Sequence, residues 1–160
     1  MVPAVGEPGA QLSLDDLEPS AETCARVQRY LDERRLVGTR VRPEPPEYAG
    51  LRVKAQIVVE DRHDPLVVRE AALRALYIHF DPLVGGREGA GWEFGRAIRI
   101  GEVYGVLQRV AGVDVVSSAS IAYCDSQDGS GEEDMGSIME LYPNQLVLSR
   151  EHEVEIEVVS

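Results

Sequence analysis

Leu51-Arg52-Val53-Lys54-Ala55-Gln56-Ile57-Val58-Val59-Glu60 is the stretch that decides the fold. Leu51, Val53, Ala55, Ile57 and Val59 fall on one face of an extended chain; Arg52, Lys54, Gln56, Val58 and Glu60 fall on the other. Successive side chains of a strand point to opposite faces, so the pattern predicts a half-buried, antiparallel strand. The next residues predict the cover for its apolar face. Asp64-Pro65 supplies an N-cap and a proline in the first helical position, where its missing N–H costs nothing. Leu66, Leu73, Leu76, Tyr77 and Phe80 then recur at helical intervals, with Ala71, Ala72 and Ala75 allowing close approach, until Asp81-Pro82 ends the helix.

Upstream, residues 6–20 are rich in Gly, Pro, Asp and Glu and read as a linker. Ser20 caps a second helix, in which Cys24, Val27, Tyr30 and Leu31 share a face; it runs to about residue 35 and stops before Gly38. A short extended piece covers 39–42, and Pro43-Glu44-Pro45-Pro46 then forms a stiff spacer. Downstream, residues 83–97 form a glycine-dense loop and 96–100 a short strand. A helix over 101–111 ends at Gly112 as a left-handed C-cap, and 113–123 is a strand. An acidic, Gly/Ser-rich insertion covers 125–137, and 145–159 reads as a hairpin turning near Arg150. The element order predicts an α+β fold with helices packed on one face of a mostly antiparallel sheet. The nearest common plan is a ferredoxin-like variant with an added C-terminal hairpin. Residues 1–19 are a linker or the remnant of a preceding strand, and 20–160 make one domain.

The chain has 160 residues, enough to bury roughly 68–70% of its unfolded surface without metals or disulfides. Sixteen Lys+Arg against 28 Asp+Glu leave a net charge of −12, which argues against a whole-domain grip on nucleic acid or on anionic lipid. No apolar run approaches the ~20 residues of a membrane span, and the first residues lack the basic and apolar regions of a secretory signal. Cys24 and Cys124 make neither a zinc pattern nor a disulfide framework and read as small hydrophobes.

A search for chemistry leaves catalytic, metal and cofactor sites empty. Gly89, Gly91 and Gly95 follow a helix rather than a strand, no Gly-Lys-Ser/Thr is present, and Glu88 and Glu93 would repel phosphate. Asp61, His63 and Asp64 read as a turn and an N-cap instead of converging metal ligands. His79 ends a helix, where a partly charged imidazole suits the dipole, and His152 faces away from Glu151 and Glu153. Cys124 has no basic neighbour in sequence, and Ser117, Ser118 and Ser120 lie in a strand without a nucleophile turn. Charge is more telling. Arg26, Arg29, Arg34, Arg35, Arg40 and Arg42 cluster, offset locally by Asp32 and Glu33, whereas acids gather at 125–134 and 151–157. That polarity suits docking to partners of complementary sign.

Several stretches, taken in order, resemble a known family. They are Tyr30-Leu31-Asp32-Glu33-Arg34-Arg35-Leu36-Val37-Gly38-Thr39-Arg40-Val41, Pro45-Pro46-Glu47-Tyr48, Ala71-Ala72-Leu73-Arg74-Ala75-Leu76-Tyr77, Asp81-Pro82-Leu83-Val84-Gly85-Gly86, Gly91-Trp92-Glu93-Phe94-Gly95-Arg96 and Glu102-Val103-Tyr104-Gly105-Val106-Leu107-Gln108. Over roughly 26–124 the chain looks like the C-terminal region of baseplate assembly proteins. These are the baseplate J-like wedge proteins of contractile phage tails and related contractile injection systems. The resemblance implies a structural, non-enzymatic role without cofactors. It implies as partners other wedge subunits, the central hub and spike, and a sheath-proximal baseplate protein. Assembly would be cytoplasmic, followed by residence in a phage tail or tail-like particle. Family members are several times longer, so a truncated or separately encoded C-terminal piece is expected. The candidate partner interface comprises Arg26, Arg29, Arg34, Arg35 and Arg40, with Trp92, Phe94 and Tyr104 as aromatic anchors; the same aromatics fit a core. A ferredoxin-like, small-ligand-binding regulatory module is the alternative reading.

Overall fold

The computed structural model describes residues 9–125 and 130–157. In chain order the elements are α1 (Leu14–Leu17), α2 (Ala21–Asp32), β1 (Glu47–Val59), α3 (Pro65–His79), β2 (Ile98–Arg99), α4 (Ile100–Gln108), β3 (Val113–Cys124), β4 (Glu133–Asp134), β5 (Ile138–Met139), β6 (Gln145–Ser149) and β7 (Glu153–Glu157). The content is α+β, and the sheet is mostly antiparallel.

β1 is the centre of the main sheet. Leu51, Val53, Ala55 and Ile57 are buried as the alternation predicts, while Val59 is half-buried. On one side β1 pairs antiparallel with β3, setting Leu51 opposite Tyr123, Val53 opposite Ile121 and Ile57 opposite Val116. The register slips twice, leaving Ser117 and then Asp114 as extra residues on β3. Such bulges bend a strand and re-aim its side chains. β3 in turn pairs with β4, and β2 with β5 forms a separate two-stranded piece.

The other side of β1 corrects an expectation. β6 pairs in parallel with Glu47 to Leu51, and β7 in parallel with Lys54 to Val58. Among the described residues no ladder joins β6 to β7, so they are one broken strand along β1 and not a hairpin. From Leu51 to Lys54 is three steps on β1, but from Ser149 to Glu153 is four, so the strand breaks around one extra residue. There the His152 imidazole stands in for a backbone acceptor: its Nδ1 accepts the Val53 N–H at 3.0 Å. Val158 and Val159, included in the predicted hairpin, lie outside the described residues.

α3 and α4 cover the apolar face. α3 begins as read, with Asp64 Oδ1 accepting the Leu66 N–H at 2.9 Å. Its buried stripe is Val68, Ala72 and Leu76, continued by the C-cap residue Phe80; Leu66, expected on that stripe, is 66% exposed. α4 buries Val103, Val106 and Leu107, and Gly112 turns the chain into β3 with φ of +92°, the left-handed conformation expected there. Both free edges of the sheet are dressed by these helices. The Tyr77 hydroxyl accepts the His152 N–H (3.1 Å) and Arg69 donates to the Val154 carbonyl (2.8 Å) at one edge. At the other, the Tyr104 hydroxyl accepts the Ala119 N–H (3.1 Å). Capping exposed strand edges in this way blunts adventitious pairing.

The N-terminal third differs from its reading. The proposed strand remnant at Val2-Pro3-Ala4-Val5 lies outside the described residues. Within the predicted linker, α1 forms one helical turn closed by a capping box between Ser13 and Asp16, and its Leu17 is buried. α2 starts at its Ser20 cap but ends at Asp32, short of residue 35, and none of its residues is buried. Cys24, read as a small hydrophobe on a helical face, is exposed, whereas Cys124 is buried.

Candidate protein-interaction site

Residues 18–48 form an arm, and none of these described residues is buried. Its local order comes from short contacts. Ser20 Oγ accepts the Thr23 N–H at 3.2 Å, Gln28 Nε2 donates to the Val41 carbonyl at 3.0 Å, and Arg35 donates to the Thr39 carbonyl at 2.9 Å. These bonds fold the return segment against α2 before the prolines lead into β1. Val27, Tyr30 and Leu31, at helical spacing, give α2 an apolar stripe that the body does not cover; Tyr30 is 57% exposed. Leu36, Val37 and Val41 extend the exposed apolar surface.

The predicted interface arginines Arg26, Arg29, Arg34, Arg35 and Arg40 all lie exposed on this arm. The Arg34 guanidinium sits 3.7 Å above the Tyr30 ring and pairs with Glu33, and Arg35 pairs with Asp32 at 3.2 Å. Among the described residues Arg26 and Arg29 form no ion pair. Six arginines stand against Glu22, Asp32 and Glu33 over residues 21–42, on a chain whose net charge is −12.

The aromatic candidates part company with the arginines. Trp92 is 3% exposed and belongs to the core. Its ring lies 5.3 Å from that of Phe80, its Nε1–H donates to the Arg96 carbonyl at 3.1 Å, and the Arg96 guanidinium covers its outer face at 4.3 Å. Arg96 is held in place by Glu102. Trp92 therefore pins the glycine loop and offers no ring to a partner. Phe94, at 59% exposed, does offer one; Tyr104 is partly exposed but its hydroxyl is committed to β3. The reading of His79 as partly charged is also corrected, because burial beside Phe80 and Trp92 pushes its pKa below the ordinary value.

Sequence reasoning missed two features of the body. Glu132, in the acidic insertion, folds over the sheet's polar face and takes Lys54 at 2.7 Å and Arg52 at 2.9 Å. These two hydrogen bonds hold its carboxyl below the usual range. Residues 126–129 of that insertion lie outside the described residues. The second feature is a cleft of about 810 Å³ at the far end of β1. Val58, Val59, Pro65 and Ile156 give it apolar lining, and Glu60, Asp61, Asp114 and Glu157 give it negative charge. Its two basic side chains, Arg62 and His63, lie 3.0 and 3.3 Å from the Glu60 carboxylate. The only sequence signal was the excess of acids, since the cleft draws on three separated segments, 58–65, 114 and 156–157.

Among the described residues no three His, Cys, Asp or Glu side chains are grouped to hold a metal, and no helix is long and apolar enough to cross a membrane. No family model matches the chain, and no curated protein is significantly similar to it.

Proposed function

We propose that this chain is a structural component of the baseplate wedge of a contractile phage tail or contractile injection system, acting through protein–protein contacts. The observation that carries the reading is the arm. An ordered helix with an apolar stripe, an arginine rim and no buried residue over 18–48 is built to be covered by something else. Its position supports the wedge reading further, because the arm contains the Tyr30-to-Val41 stretch that opens the family resemblance. In this reading the chain transforms no substrate, and its partners are neighbouring wedge subunits, the hub and spike, and a sheath-proximal protein. We keep the ferredoxin-like comparison at the level of helices covering one face of a mostly antiparallel sheet.

The test is Arg34→Glu with Arg35→Glu. Both side chains are exposed, so the domain keeps its fold while incorporation into particles falls. Intact particles at normal yield from the double variant would overturn the docking role.

A further inference from the structure

We infer that the arm of one copy docks into the acidic cleft of a second copy, so that the chain associates head to tail. This rests on the reading of the arm as a docking element and names its partner. The two surfaces match in chemistry. The arm presents Val27, Tyr30 and Leu31 flanked by Arg26 and Arg29; the cleft presents Val58, Val59 and Ile156 flanked by Asp61, Asp114 and Glu157. Among the described residues Asp61 and Asp114 form no ion pair, as is true of Arg26 and Arg29. Asp114 is one of the two bulge residues of β3, and bulges commonly re-aim a side chain at a functional edge. Apolar contact surrounded by charges of opposite sign is the arrangement that gives an interface both affinity and register.

The occupant is a second copy because of where the surfaces lie. The arm returns to the body at Glu47, the first residue of β1, and the cleft is lined by Val58 and Val59 at its last. Thirteen strand residues at about 3.3 Å each separate them by roughly 40 Å. The return segment, residues 39–46, spans at most about 28 Å when fully extended. Gln28 of α2 donates to the Val41 carbonyl of that segment at 3.0 Å, which holds Arg26 and Arg29 beside it and short of their own cleft, and in the structure no arm residue lines the cleft. Two complementary patches at opposite ends of one chain make a heterologous contact, which closes into a ring or runs on as a filament.

The experiment uses the full chain in sedimentation equilibrium from micromolar to hundreds of micromolar. The expected result is an average mass that rises with concentration at low salt and falls back toward the monomer at high salt. Arg26→Glu with Arg29→Glu breaks the arm, and Asp61→Lys with Asp114→Lys breaks the cleft; each pair weakens association at least about tenfold. All four side chains are exposed, and unchanged thermal melts establish that both variants fold. An equimolar mixture of the two variants forms a dimer and stops there, because one sound arm meets one sound cleft. A wild-type chain that stays monomeric at low salt, association that either variant leaves untouched, or a mixture that stays monomeric overturns the inference. Loss of particle incorporation in the Arg34→Glu, Arg35→Glu variant alongside a monomeric wild type would overturn only the copy-to-copy pairing and leave the docking role standing.

Discussion

The arm and the body obey different rules. In the body, β1 buries Leu51, Val53, Ala55 and Ile57 beneath α3 and α4, and at the sheet's edges the His152 and Ala119 N–H groups and the Val154 carbonyl find partners on the covering helices. In the arm, α2 shows the same amphipathic spacing and a sound N-cap, yet buries nothing. Twelve residues are marginal for an isolated helix in water, so α2 depends on its cap, on Gln28 and on whatever covers its stripe. The contrast shows that amphipathic spacing states a need for cover and not where the cover comes from. Only the three-dimensional arrangement separates a helix covered by its own chain from one left uncovered.

The sharpest break between the two regions comes from deleting one large side chain in each. Phe80 is fully buried against Trp92 and His79, so Phe80→Ala costs about 3–5 kcal/mol in urea unfolding. Leu31→Ala on the arm changes global stability by no more than about 0.5 kcal/mol. Comparable losses from the two would mean that the arm is part of the cooperative core.

Next in size is His152, where the body holds a polar group. Its Nδ1 accepts the Val53 N–H, its ring stacks on Tyr77 at 4.7 Å, and burial pushes its pKa down from 6.5 to about 3. His152→Ala leaves the Val53 N–H without its acceptor, at about 1–3 kcal/mol near neutral pH. The variant also changes the acid response. Between pH 6.5 and about 3 the unfolded chain holds a proton on this imidazole that the native chain refuses. Stability is thus fully present above 6.5 and is lost as pH falls toward 3, by up to about 1.4 kcal/mol per pH unit for this group. Subtracting the variant's stability profile from that of the wild type isolates this slope from the other histidines and carboxylates. A flat difference over that window would remove His152 as its source.

How much of this was legible in the sequence follows the same divide. The two faces of β1, the Asp64 cap of α3, the Gly112 turn and the Ser20 cap of α2 are local, fixed by a few neighbouring residues and the period of their element. The pairing of β6 and β7 with β1 is not local. Alternation over 145–157 assigns faces but no partner strand, and the break at His152 exists only because its imidazole meets a backbone N–H 99 positions away. The arginines of the arm were readable as a cluster of like charge within one short segment. The cleft was not, since Val58, Asp114 and Ile156 are brought together by the register of three strands. Trp92 was ambiguous for a related reason: a lone aromatic in a glycine loop suits a core or an interface until Phe80 and Arg96 are seen on either side of it.

The finest test compares two caps built alike on either side of the divide. Asp64 accepts from Leu66 at the start of α3, and Ser20 from Thr23 at the start of α2. Removing such a cap costs about 1 kcal/mol of helix stability in either place. α3 packs Val68, Ala72 and Leu76 into the core, so Asp64→Ala passes its loss to global unfolding and lowers the urea midpoint. α2 packs nothing, so Ser20→Ala leaves the midpoint where it was. Its loss appears only in native-state hydrogen exchange, as roughly fivefold faster exchange of the α2 amides with no change at the α3 amides. A midpoint shift from Ser20→Ala equal to that from Asp64→Ala would show the arm folding with the body, and its stripe would then need no partner to explain it.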